Sequence, residues 1–152
     1  MDISVQEVQE DGCIAQLTAP SGGPWGGVNV DKAFLEFLET LCSKEVIQEL
    51  KTKSEYKSDY IDIQRCFELK KRAIASSTQS DEVILKLPPS LITIHRAIRK
   101  KDLTDSINDN GFKEQLRQKG DKLRIKPTFL AEMFDTPVSQ IIEHVTRLLT
   151  DP

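Results

Sequence analysis

Apolar positions along this chain change period several times, and each change marks an element. Residues 3–7 and 13–19 alternate apolar and polar around the turn pair Asp11 and Gly12, which predicts a β-hairpin with one apolar row. The period then lengthens. Val30, Phe34, Phe37, Leu38 and Leu41 are spaced for one face of a helix, with Asp31 in its first turn. Ser43 stands where an N-cap would precede a second helix carrying Val46, Ile47 and Leu50, and residues 51–58 form a polar connector. A third helix is expected from about Tyr60 to Ala75, with Ile63, Phe67 and Ile74 on its apolar stripe, followed by a polar loop over 76–81.

The second half is read the same way. Residues 82–87 predict a strand stopped by Pro88 and Pro89, and residues 90–101 predict a helix that starts apolar and ends basic. A short acidic helix or turn is expected over 102–110. A hairpin across Lys119, Gly120 and Asp121 follows, with Leu123 and Ile125 on its second strand, and Pro127 begins a helical stretch. Thr136 and Pro137 resemble an N-cap and first-turn pair. Val138, Ile141, Ile142, Val145, Leu148 and Leu149 form the strongest helical stripe of the chain, expected to face a core. Strands interleaved with helices give an α/β (mixed α+β) class, a small sheet packed with several helices. The chain starts almost inside its first strand, so an excised piece with an added initiator Met is expected.

Composition removes several function classes. The 152 residues are 38% hydrophobic and 30% charged, ordinary for one soluble globular domain. A formal charge of -3 gives no basic field for nucleic acid, and the one basic run, 96–101, has no interleaved aromatics. No apolar run approaches membrane-spanning length and no signal-peptide core is present, so no membrane role and a cytoplasmic setting are expected. Cys13, Cys42 and Cys66 are an odd, scattered set that fits reduced thiols, and His95 and His144 have no companions at metal-ligand spacing. No nucleophile–base motif can be drawn and catalytic carboxylates cannot be singled out, so no catalytic residue and no metal ligand are assigned.

Two motifs remain. Residues 21–27 hold four of the seven glycines, with Trp25 among them, and lack the Lys-Ser/Thr of a P-loop. Such clustering lets backbone approach a ligand or another segment closely. Gly26 and Gly27, at a helix start, could lie near a phosphate, and Trp25 is expected to anchor the loop. On the third helix Glu68, Lys71, Arg72 and Ala75 fall at i, i+3, i+4 and i+7. A carboxylate accepts from hydroxyls and a guanidinium stacks on flat rings, so the row suits a ligand with both; the same row also suits a solvated helix face.

In this order and spacing, residues 21–34 and the Phe67, Glu68, Lys71, Arg72 segment resemble the seventy-kilodalton heat-shock (DnaK-type) proteins, and more closely their divergent member-twelve branch. Residues 87–90 and 141–145 fit that branch too. The resemblance covers essentially the whole chain. It implies part of an actin-like ATPase fold, with residues 1–25 as a hairpin and glycine loop from the base of its second lobe and 26–152 as that lobe's upper subdomain. It implies ATP or ADP as cofactor, with Mg in the intact parent. Glu68 and Lys71 would bond the ribose hydroxyls and Arg72 would stack on adenine. Ala75 would stand where most members have a base-contacting Ser, a hydrogen bond worth about 0.5–1.5 kcal/mol. The phosphate loops, catalytic lysine and catalytic carboxylates of the family belong outside this stretch, so the piece alone is expected to be a monomer that does not hydrolyse ATP. A nucleotide-exchange factor or co-chaperone is the implied protein partner.

Overall fold

A computed structural model of the chain describes residues 1–74 and 82–150, with the side chains of residues 73 and 74 excepted. The elements run β1 (Asp2–Ile3), β2 (Gln6–Val8), β3 (Ile14–Gln16), β4 (Ser21–Gly22), α1 (Gly27–Cys42), α2 (Lys44–Thr52), α3 (Lys57–Ile74), β5 (Val83–Lys86), α4 (Pro89–Arg99), α5 (Leu103–Asp109), β6 (Leu116–Lys119), β7 (Lys122–Ile125), α6 (Pro127–Ala131) and α7 (Asp135–Thr150). Single 3-10 turns at Ser54–Tyr56 and Glu132–Phe134 precede α3 and α7. This is the mixed α+β class expected from the sequence, and it is consistent with a piece of an actin-like ATPase fold. No helix among the described residues is long and apolar enough to cross a membrane.

The chain forms two compact units, one of residues 1–30 and 134–152 and one of residues 31–133. In the second unit the antiparallel sheet β5–β7–β6 pairs Leu85 with Leu123 and Leu116 with Ile125. All four side chains are buried, because period-two apolar residues on adjacent strands share one face. The β6–β7 turn falls where the sequence places it, with Gly120 at φ 61°, the left-handed region that glycine enters without strain. The helices supply Phe34, Phe37, Leu38 and Leu41 from α1, Val46, Ile47 and Leu50 from α2, Ile63 and Phe67 from α3, and Leu91 and Ile94 from α4, each buried. Phe37, Phe112 and Phe129 meet edge to face with centroids 5.3–5.8 Å apart.

Several details differ from the sequence reading. Helix α3 starts at Lys57 rather than near Tyr60, since the 3-10 turn before it already sets helical backbone. Helix α1 starts at Gly27, so Asp31 sits past its first turn. Ser43 precedes α2, but at φ 100° its hydroxyl makes no capping bond. Helix α7 starts at Asp135, directly after a 3-10 turn, so Thr136 and Pro137 lie inside it.

The largest correction concerns the first unit. Here β1 pairs with β4 and β2 with β3, in short antiparallel ladders. The hairpin exists, yet Val8, Ile14 and Leu17 are exposed. The α7 stripe, expected to face a core, is only partly covered: Ile141, Val145 and Leu148 are half-buried, Val138, Ile142 and Leu149 are 44%, 59% and 68% exposed, and the buried residues of α7 are Pro137 and His144. Periodicity identifies an apolar face and carries no information about what covers it.

Candidate functional site

Helix α3 positions the charged row through its apolar neighbours. Ile63 and Phe67, one turn apart, are 1% and 2% exposed and fix the rotation of the helix. Phe67 lies parallel to Phe34 of α1, with ring centroids 3.9 Å apart and an interplanar angle of 2°. Asp31 is one turn before Phe34, and Lys71 is one turn after Phe67. The stacked rings therefore set α1 and α3 antiparallel there and bring these two charges face to face.

Lys71 Nζ donates to Asp31 Oδ1 at 2.7 Å and makes a closer contact with Glu68 Oε2. Arg72 Nε donates to Glu68 Oε1 at 3.0 Å. Glu68 thus accepts from two cations on one helix face, and Lys71 and then Arg72 lower its pKa from the ordinary carboxylate value. Burial pushes the pKa of Lys71 down, but its bonds to Asp31 and Glu68 outweigh that and leave it raised. Only 8% of Lys71 reaches solvent, whereas 76% of the Arg72 side chain does. The Arg72 side chain is thus mostly in solvent while its Nε is held by Glu68. Ala75 lies outside the described residues.

A cleft of about 250 Å³ adjoins the row, lined by Asp31, Phe34, Leu35, Gln64, Arg65, Phe67 and Glu68. Aromatic rings make its apolar wall and carboxylates its acceptor groups. A second cleft of similar volume, about 250 Å³, lies between α3 and Pro88–Pro89, where Ser90 Oγ donates to Asp59 Oδ2 at 2.5 Å. Sequence reasoning took Asp31 for a helix-start acid and missed it as the partner of Lys71. The one available signal was its spacing from Phe34, which becomes informative only once Phe34 is known to stack on Phe67.

Gly26 and Gly27 belong to the first unit, and the charged row to the second. Within the glycine loop the steric demand falls elsewhere. A Cβ on Gly22 would stand 2.0 Å from the Met1 carbonyl oxygen, and one on Gly23 would stand 2.5 Å from the Trp25 ring. A Cβ on Gly26 would meet nothing within 4 Å. The loop is fastened by Trp25, whose ring lies 4.9 Å from that of His144, and by Ser21 Oγ, 2.9 Å from His144 Nε2. The basic run over 96–101 is partly neutralised in place: Arg96 pairs with Asp102 at 2.6 Å and Lys101 with Asp109 at 2.5 Å.

No known family profile and no solved structure matches the chain. Curated proteins do. The whole chain is similar to Heat shock 70 kDa protein 12B of Homo sapiens at 27% identity, and to Heat shock 70 kDa protein 12A of Homo sapiens and of Mus musculus at 24%. Each alignment spans 100% of this chain and 22% of the relative, so the chain spans about a fifth of the length of the curated relatives it matches. The resemblance read from the two motifs is the one these relatives bear out.

Proposed function

We propose that this chain is the adenosine-side piece of the nucleotide-binding region of a divergent heat-shock chaperone-type ATPase. Whole-chain similarity to Heat shock 70 kDa proteins 12A and 12B supports a domain fragment of that kind. The observation that carries the finer reading is the hydrogen-bonded row Glu68, Lys71 and Arg72 on α3, beside a cleft walled by Phe34 and Phe67. In this reading Glu68 accepts from ribose hydroxyls, Arg72 lays its guanidinium on adenine, and Lys71 donates after loosening its hold on Asp31. Ala75, where the resemblance implies a Ser, has no hydroxyl to offer the base. The donor set suits ATP or ADP at its nucleoside end. Hydrolysis needs in-line positioning and a metal clamp, which this piece does not supply, so the chain alone binds weakly and releases no phosphate.

Amide chemical shifts of the 152-residue chain, followed while ATP, ADP and adenosine are added to millimolar concentration, test this. Shifts are expected to cluster at Glu68, Lys71 and Arg72, to be weaker with guanosine, and to collapse in Arg72→Ala. Shifts that avoid α3, or an Arg72→Ala response equal to the parent's, would sink the assignment.

A rival reading, a protein-interaction module held by a nucleotide-exchange factor or co-chaperone, rests on Arg99 and Lys100. Both are exposed, and neither joins the ion pairs that occupy Arg96 and Lys101. Tight partner binding that ignores nucleotide and fails in a double Arg99→Ala, Lys100→Ala variant would favour it.

A further inference from the structure

The first unit carries a polar pocket that the nucleotide reading does not use. It is about 200 Å³ and is lined by Trp25, Gln140, Glu143, His144 and Arg147. Its walls are fixed in an unusual way for a helix surface. Arg147 donates from one terminal nitrogen to His144 Nδ1 at 2.8 Å. A guanidinium can only donate, so Nδ1 accepts and the ring hydrogen sits on Nε2, which donates to Ser21 Oγ at 2.9 Å. His144 is 7% exposed, and Trp25 packs against it with ring centroids 4.9 Å apart and planes tilted by 55°.

This chain of bonds does two things. It ties an exposed arginine to a buried, immobile ring, so the guanidinium is held in place before any ligand arrives. It also takes Arg147 away from Glu143, its i−4 neighbour, with which an exposed arginine would ordinarily pair. Among the described residues Arg147 joins no ion pair, and Glu143 joins none either. Two opposite charges thus line one small pocket one helical turn apart, separated from each other, with an indole wall beside them and the Gln140 amide to donate or accept.

We propose that this pocket binds a small zwitterion of the α-amino-acid class. The carboxylate lies on the remaining N–H groups of Arg147, the ammonium on Glu143, and the side chain against Trp25. A dianion such as inorganic phosphate is disfavoured by Glu143, and a simple amine by Arg147.

Trp25 is the single tryptophan of the chain, so indole fluorescence reports this pocket alone. The test adds L-leucine to the full 152-residue chain, in parallel with 4-methylpentanoate, which lacks the amine, and isoamylamine, which lacks the carboxylate. L-Leucine is expected to give a saturable change that calorimetry reproduces, and each analogue to bind on the order of tenfold more weakly, the loss of one charged hydrogen-bonding group. Arg147→Gln should abolish the leucine response. Glu143→Gln should weaken leucine by a similar factor, about tenfold, while leaving 4-methylpentanoate unchanged or tighter. Both residues are exposed, and an unchanged melting curve confirms that the variants fold. No saturable response to L-leucine, L-methionine or L-glutamine by either measurement overturns the proposal. So does equal binding of leucine and its two analogues, or a leucine response that Glu143→Gln leaves intact.

Discussion

Lys71 is a cation kept from water by two carboxylates that are themselves about two-fifths exposed, at 39% and 38%. That geometry lies between a surface ion pair, worth little, and a buried one, whose breakage leaves a stranded charge. Replacing it by Met is expected to cost about 1–2 kcal/mol in urea denaturation, because Asp31 and Glu68 are left facing each other. The pH signature has two ends. The lowered pKa of Glu68 adds stability above the unfolded carboxylate range, lost as the pH falls through the folded value. The raised pKa of Lys71 adds stability below the unfolded ammonium range, lost as the pH rises through its folded value. His95 acts between them. It is fully buried on α4, with Nε2 2.9 Å from Ser106 Oγ and Nδ1 without a hydrogen-bond partner among the described residues. Burial first, then Arg99, Lys101 and Arg96 against the opposing pull of Asp102, push its pKa down. Its neutral form is the folded one, so stability is full above the unfolded value of about 6.5 and falls as the pH drops from there toward the lower folded value. Denaturation midpoints at about pH 7.5 and 5.5 should show this loss, and His95→Leu should flatten that slope whatever it does to absolute stability.

Among the elements, the α1–α3 pair decides whether the charged row exists. The Phe34–Phe67 stack sets the register that brings Asp31 to Lys71. Phe67→Ala is expected to cost about 3–5 kcal/mol in urea denaturation. An equilibrium cost below about 1 kcal/mol would mean the stack does not hold the pair. How legible these elements were depends on which signal each one used. Turn chemistry placed the β6–β7 hairpin at Gly120, and period-two apolar residues placed Leu123 and Ile125 inside it. Lys57, Ser58 and Asp59 are all polar and leave no periodic mark, so the first turn of α3 was invisible. The spacing of Glu68, Lys71 and Arg72 on one face was readable from local sequence alone. Asp31, 40 residues away from Lys71, was not, because its role depends on how two helices pack. The α7 stripe was detected correctly as apolar, but its coverage is only partial, since coverage is a property of other elements.

Across the whole molecule the two units differ in how much they hide. The second buries side chains from its sheet and its helices together, whereas the first leaves Val8, Ile14, Leu17, Val138, Ile142 and Leu149 in solvent. The three cysteines sample this difference: Cys13 is exposed in the first unit, Cys66 is half-buried and Cys42 is buried at the end of α1. Burial pushes the Cys42 thiol up to about 12, and only a thiolate attacks a disulfide reagent. The chain therefore contains its own clock. With an aromatic disulfide reagent in excess, Cys13 should react at the rate of a free thiol and Cys66 more slowly. Cys42 should wait for the α1–α2 junction to open, so its phase measures the free energy of that opening without any added label. Low urea should accelerate the Cys42 phase alone, and Phe67→Ala should merge it with that of Cys66. A Cys42 phase as fast as that of Cys13 in the absence of urea would mean the junction is open in the resting protein.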